Sequence, residues 1–304
     1  MEDGIGRGSR YASENEIFSE IFMQINQELL LLNGEFNLID HTELNNKRFE
    51  WTGRITEKPS FYASRFWEYP FAIIEAELQQ GMSCADIGCG TTPFTAYLAK
   101  TVGPKNVYAF DNDHLDNKQT SHFAFGVRDE FINKVGFNFV HSNIDEIKFE
   151  DNSFDRVFCL SVLEHIEKPE IWKKGLTEMA RILKPGGRLI ITFDTNIANP
   201  QILPVDMLIY TGLNPLISFN INLPTERFVR MENGYIDVFG IVLRKSDSMI
   251  ELNSKVKSEI NECTIQKNNI PVIYKESEMQ ILKDLRRKLG AWRIFLKLLL
   301  QKYK

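Results

Sequence analysis

Cysteine is scarce in this chain: four residues, Cys84, Cys89, Cys159 and Cys263, with no CxxC pair and no regular spacing. That excludes a disulfide framework of the secreted type and a structural zinc site, and it fits a reducing compartment. His41, His114, His122 and His141 stand apart with no ligand pattern, so no metal is expected. Long uncharged apolar runs are missing. The best candidate, LGAWRIFLKLLL at 289–300, contains Arg293 and Lys297 and is a poor bilayer span. The opening MEDGIGRGSRYASENEIF has no apolar core of the signal-peptide kind. A basic surplus is also absent. Net charge −5 argues against a partner bound by phosphate neutralisation, so nucleic acid is not expected. The expected setting is cytoplasmic.

What is present is enough apolar material, 43% of 304 residues, for a full core. Residues 1–12, rich in Gly and charge, read as a disordered start to an N-terminal extension over 1–67. Ser13 and Glu16 form a capping-box pattern, Ile17, Ile21, Ile25 and Leu29 follow at helical spacing, and Gly34 sits where a C-terminal cap belongs. A helix over 14–33 is predicted. Pro70 suits a first helical turn, with Phe71, Ile74 and Leu78 as a stripe ending at Gly81. Strand candidates at 84–87, 106–110, 137–140, 156–160 and 188–193 then alternate with helix candidates at 93–101, 116–134 and 169–183. That alternation predicts an α/β fold, a doubly wound and mostly parallel seven-stranded sheet with helices on both faces. YIDVFGIVLRK at 235–245 reads as an antiparallel strand near the sheet edge. The Pro- and Asn-rich insertion 195–228 reads as a cap over a substrate pocket.

Residues 246–304 fall outside the alternation as a C-terminal helical tail. Between 281 and 304 Leu285, Leu289, Trp292, Leu296 and Leu299 form an apolar stripe, and eight basic residues face the single acid Asp284. Three roles stay open for 279–304: packing on its own domain, contact with a second subunit, or peripheral contact with the inner face of a membrane.

The chemistry concentrates in CADIGCGTTPF at 84–94. Gly88 and Gly90 allow a tight turn and close approach to a ligand, Thr91 or Thr92 can cap the next helix, and Pro93 fits its first turn. In open α/β sheets ligands lie at the carboxyl ends of the strands near the switch point. A dinucleotide turn would need a third glycine where Pro93 stands. Asp86 is a poor neighbour for a diphosphate and a good one for a ligand carrying an ammonium and a sulfonium. An NAD-dependent oxidoreductase is therefore the disfavoured rival. In VYAFDND, Asp111 ends the next strand, placed to accept both hydroxyls of a ribose.

With these motifs in order, residues 68–245 resemble a class I S-adenosylmethionine-dependent methyltransferase of the type-11 methyltransferase domain group. CADIGCG is similar to the family's first motif, NIDEIKFEDNSFDRVFCLSVLEHI to its third-to-fourth strand passage, and LKPGGRLIITF to the turn before its fifth strand. Two departures stand out: Thr92 where a third glycine is frequent, and Asn143 where Asp is usual. The resemblance implies S-adenosylmethionine as cofactor, held by Asp86, Gly88, Cys89, Gly90 and Thr91 at the turn. Asp111 and Asn112 would lie at the ribose, Asn143 and Ile144 at the adenine, and Leu160 and Ser161 past the fourth strand, with Tyr69 as a cover. His165 is the candidate catalytic residue, as a general base, with loop ordering as its other role. The N-P-P-Y signature of base-nitrogen methylation is replaced by LSVLEH. The implied reaction is methyl transfer to an oxygen or nitrogen of a small-molecule, sugar or lipid-linked acceptor. A module that binds the cofactor without turnover is the other alternative.

Overall fold

A computed structural model describes residues 7–36, 65–115, 127–195, 202–217, 219–222, 224, 228–230 and 234–246. The tail helix expected at 279–304 lies outside the described residues, as do most of the helix expected at 116–134 and Asn196 in the cap. The strands are β1 (Arg10–Tyr11), β2 (Cys84–Ile87), β3 (Val107–Asp111), β4 (His114–Leu115), β5 (Val127–Arg128), β6 (Asn138–His141), β7 (Phe154–Leu160), β8 (Leu183–Asp194), β9 (Asn214–Pro215), β10 (Phe228–Arg230), β11 (Gly234–Ile236) and β12 (Val238–Arg244). The helices are α1 (Glu14–Ile17), α2 (Glu20–Phe36), α3 (Arg65–Ala76), α4 (Pro93–Val102), α5 (Asp129–Val135), α6 (Pro169–Ile182) and α7 (Pro204–Thr211).

The main sheet has the order β1-β12-β8-β7-β2-β3-β6, with β9 also paired to β12. β6, β3, β2, β7 and β8 are parallel, and β12 runs antiparallel to β8. The chain leaves β2 toward β3 and β6, then returns on the other side as β7. The switch point therefore lies between β2 and β7, and the carboxyl ends of five parallel strands share one edge. Alternation along the strands feeds two cores. Phe71, Phe94, Leu98, Phe158 and Val242 fill one face, and Phe110, Phe154, Trp172, Ile191, Phe193 and Phe239 fill the other.

The sheet gains an eighth strand beyond the seven expected, because β12 is not an edge. Tyr11 and Arg10 pair with Phe239 and Gly240, and Pro215 and Asn214 pair with Leu243 and Arg244. Between these two short strands the Val242 amide donates to Ser9 Oγ at 3.0 Å. Residues 7–12 are thus ordered, correcting the disordered start. They satisfy backbone groups that β12 would otherwise leave open.

The first helix departs from expectation at both ends. It breaks at Phe18, and its second part runs through Gly34 to Phe36. Ser13 makes no side-chain cap, since Glu16 accepts instead from Arg10 and from Trp67 Nε1, the latter at 2.6 Å. Tertiary partners have outbid the local box. α3 starts at Arg65, so Pro70 lies inside it rather than in its first turn. A proline there removes the donor for the Phe66 carbonyl. Asn26 of α2, buried, supplies it: its Nδ2 donates to Phe66 O at 2.8 Å.

No helix among the described residues is long and apolar enough to cross a membrane. Asn26→Ala should destabilise the fold by about 1–3 kcal/mol by leaving that carbonyl unpaired. Pro70→Ala, which restores a helical donor, should recover part of the loss. Urea denaturation of the singles and the double variant measures the coupling, and strictly additive effects would refute the substitution of Asn26 for the missing N–H.

Candidate functional site

The turn after β2 is built by backbone. Gly88 has φ +70° and Gly90 φ +53°, both in the left-handed region. The amides of Gly88 and Cys89 donate to Phe110 O at 2.7 and 3.1 Å, which fixes the turn to the end of β3. A Cβ on Gly88 would lie 2.4 Å from a Val162 methyl. The glycine is needed for packing of the β7 loop, and not only for room beside a ligand. Gly90 N donates to Asp111 Oδ2 at 2.9 Å, and Asp113 N to Asp111 Oδ1 at 2.9 Å. Thr92 is the N-cap of α4, but its hydroxyl turns back to Cys89 O at 3.3 Å and caps nothing. Thr91 is buried, and so is Cys89, whose thiol is pushed well above its ordinary range by burial and stays protonated.

Asp86 is 3% exposed and accepts from Thr95 Oγ1 of α4 at 2.7 Å. Burial, and then the charge of Asp111, push its carboxyl up to about 7, with the Thr95 bond acting the other way. Burial raises Asp111 as well, against the backbone donors of Asp113 and Gly90. Among the described residues the main groups bearing on these two acids include no cation. A turn of this kind is short of positive charge. It fits a cationic nucleoside such as S-adenosylmethionine and disfavours a diphosphate.

The rim carries the next two expected residues. Asn112 Nδ2 donates to Asn143 Oδ1 at 3.1 Å, so the turns after β3 and β6 meet, with both side chains exposed. Ile144 faces elsewhere: a Cβ on Gly175 of α6 would lie 2.6 Å from its Cδ1. Its side chain is a packing element, which leaves only its backbone for a ligand.

Past β7 the structure departs furthest from expectation. Leu160 is buried. Ser161 follows at φ +51°. Its hydroxyl is engaged by Arg65 and Glu68 of α3. Glu68 is wholly buried and also accepts from Thr192 Oγ1 at 2.8 Å. Tyr69, one residue on, packs against Phe94 at 5.3 Å between ring centroids. Trp67, two residues before Tyr69, is core, stacked on Phe71 at 4.6 Å. Phe193 near the end of β8 is also wholly buried.

The short 3-10 turn Leu163–His165 carries Glu164 inward and His165 outward. Glu164 Oε1 accepts from Asp194 N at 3.3 Å, tying the β7 loop to the end of β8. Burial, then the Asp194 charge, push Glu164 up to about 8. Loop ordering thus falls to Glu164. The His165 ring has no hydrogen-bond partner among the described residues. Partial desolvation and the facing Arg65 lower its pKa, leaving a neutral imidazole at pH 7.

Arg65, Glu68, Thr192 and Glu164 were missed in the sequence. Their signal was the charged pair Arg65 and Glu68, which extends the Phe71–Ile74 stripe backward in steps of three. No group of three or more potential metal ligands occurs among the described residues.

Affinity for S-adenosylmethionine should rise with pH, by up to about tenfold per unit below the Asp86 pKa, and level off above about 7. The sign follows because a bound cation favours the ionised carboxylate, so binding below that pH must release its proton. Calorimetry in buffers of different ionisation enthalpy reads that proton. In Asp86→Asn the pH slope should flatten, and an unchanged slope would remove Asp86 from the cofactor site.

Residues 85–191 match the family described as Methyltransferase domain. The ubiquinone/menaquinone biosynthesis C-methyltransferase UbiE of Pasteurella multocida is 31% identical over 138 residues, 43% of this chain and 47% of that relative. The demethylmenaquinone methyltransferase of Anoxybacillus flavithermus is 30% identical over 146 residues, 47% of this chain and 56% of the relative. The chain spans about half the length of these curated relatives. A solved SAM dependent methyltransferase from Aquifex aeolicus aligns with TM-score 0.38 and 22% identity, covering 60% of this chain and 93% of that one. With its glycine turn and its sheet order, this chain is similar over residues 85–191 to class I S-adenosylmethionine-dependent methyltransferases.

Proposed function

We propose that the chain transfers a methyl group from S-adenosylmethionine to a carbon nucleophile of a small conjugated acceptor, such as an enol or phenol. The observation that carries the methyl-transfer reading is the cation-poor turn. Asp86 is buried and Asp111 half-buried beside Gly88 and Gly90, and Gly90 N donates to Asp111. The oxygen or nitrogen acceptor expected above has no support in the relatives, and the name of the Pasteurella enzyme specifies carbon.

The cofactor supplies a methyl group on a positively charged sulfur, so the protein needs mainly to place a nucleophile in line with it. Asp86 and the turn 88–91 would hold the amino-acid end, Asp111 and Asn112 the ribose, and Asn143 the adenine. Tyr69 closes the crevice from α3. His165, neutral and without a hydrogen-bond partner among the described residues, would take the proton from an acceptor hydroxyl. Glu164 holds the loop that presents it.

Calorimetric titration should show S-adenosylhomocysteine binding and no heat with NADH. Absence of heat with S-adenosylhomocysteine in folded protein overturns the reading. A panel of phenols and quinols incubated with S-adenosylmethionine labelled with carbon-13 in the methyl group then locates the acceptor atom by NMR. Label found only on oxygen or nitrogen overturns the carbon assignment.

A further inference from the structure

Arg65 opens α3, and its guanidinium is only half used. Nη1 donates to Glu68 Oε2 and to Ser161 Oγ. Ser161 Oγ donates onward to Glu68 Oε1, the oxygen that also accepts from Thr192 at 2.8 Å. Both Glu68 oxygens are therefore satisfied inside the core. The Nε and Nη2 groups of Arg65 have no hydrogen-bond partner among the described residues, while its side chain keeps 23% of its surface exposed. Those two nitrogens form the side-on fork of a guanidinium, the edge that matches the two oxygens of a carboxylate or the lone pairs of a single oxyanion. The fork is held from two sides. Nη1 is pinned by Glu68 and Ser161, and the Tyr69 ring lies 6.0 Å from the guanidinium carbon. Tyr69 in turn packs against Phe94 in the first turn of α4, just past the cofactor turn, and Ser161 directly follows β7. The open edge thus belongs to the region between the cofactor turn and the His165 loop. An ion pair kept only to hold α3 down would need Nη1 alone.

We propose that the Nε–Nη2 edge of Arg65 binds a planar, conjugated oxyanion of the methyl acceptor, adjacent to the carbon that takes the methyl group. This inference rests on the function proposed above and adds the recognition element for its acceptor. For a phenol the electrons balance as follows. His165 takes the hydroxyl proton, and the electron pair left on oxygen is stabilised by Arg65 and delocalised onto a ring carbon. That carbon bonds the methyl carbon as the C–S bond breaks, its pair leaving on sulfur as a neutral thioether. Loss of the ring proton to water restores aromaticity. A carboxylate on the acceptor would use the same fork for binding, without the deprotonation.

The test uses the full chain saturated with S-adenosylhomocysteine, titrated calorimetrically at pH 8 with two pairs of probes. Benzoate is compared with neutral benzamide, and 4-nitrophenolate with neutral 4-nitroaniline. At least one anion should bind about tenfold or more tighter than its neutral partner. Benzoate or nitrophenolate as the preferred anion distinguishes a carboxylate from a phenolate acceptor. Arg65→Gln alone leaves Glu68 buried without a countercharge and is expected to unfold readily. The informative variant is Arg65→Gln with Glu68→Gln, which removes both charges together. It should melt as a folded protein, bind S-adenosylhomocysteine as the wild type does, and lose the preference for the anion. Arg65→Lys should keep part of it, having the charge without the fork. Equal binding of anion and neutral probe, no binding of either anion, or an anion preference that survives in the double variant overturns the proposal. Failure of the wild type to bind S-adenosylhomocysteine instead overturns the methyl-transfer reading beneath it.

Discussion

The arrangement depends on how closely α3 lies on the sheet at Gly240. A Cβ there would sit 2.5 Å from Phe71 Cε1 and 2.8 Å from Trp67 Cη2, so only glycine lets the two aromatic rings settle onto β12. That contact sets the height of α3 above β7 and β8. With the helix at that height, Glu68 reaches Ser161 and Thr192 and Tyr69 reaches Phe94. The far side of α3 is braced by the N-terminal segment. Glu16 takes the Trp67 N–H, Arg10 bridges Glu16 and Glu75, and Gly8 N donates to Glu75 at 2.9 Å. Residues 7–36 lie outside the segment that matches the family, yet they brace the helix that lies on β7, β8 and β12.

Sheet order and the cofactor turn were legible because they are local. Strand runs separated by helical runs, and CADIGCG at the end of one of them, encode a parallel sheet and its loop without reference to distant residues. Asp111 came from the same strand-end logic and Asn143 from the family resemblance, and the Asn112–Asn143 bond joins the two strand ends. What could not be read is whatever depends on contacts across long stretches of chain. The Ser13–Glu16 box is a sound local signal. It loses because Glu16 finds Trp67 and Arg10, charged or polar donors in a partly buried setting, which outweigh one capping bond. Pro70 looked like a helix start because nothing nearby shows that Asn26, on another helix, would replace its missing donor. The bond of the Ser161 hydroxyl to Glu68, ninety-three positions away, was out of reach for the same reason.

The two raised carboxyls at the carboxyl edge have different fates. Asp86 and Glu164 are both held in the protonated direction by burial, toward about 7 and about 8. Each folded-state pKa lies above the unfolded value. The native state therefore binds more protons than the unfolded chain between roughly pH 4 and 8, and the stability of the ligand-free protein falls as pH rises through that window. A cation bound at the turn reverses the sign for Asp86, because it stabilises the carboxylate that the empty turn penalises. Glu164 gains no such partner. It borders Asp194 and Glu68, and among the described residues the cation acting on it, Arg65, is already paired with Glu68. The edge is thus divided by charge. Its β2 side is an acid that becomes an anion when a cation arrives. Its β7 side is a neutral acid beside a guanidinium whose open fork calls for an anion. A methyl donor that carries positive charge and an acceptor that carries negative charge satisfy both halves at once, and neither partner alone does.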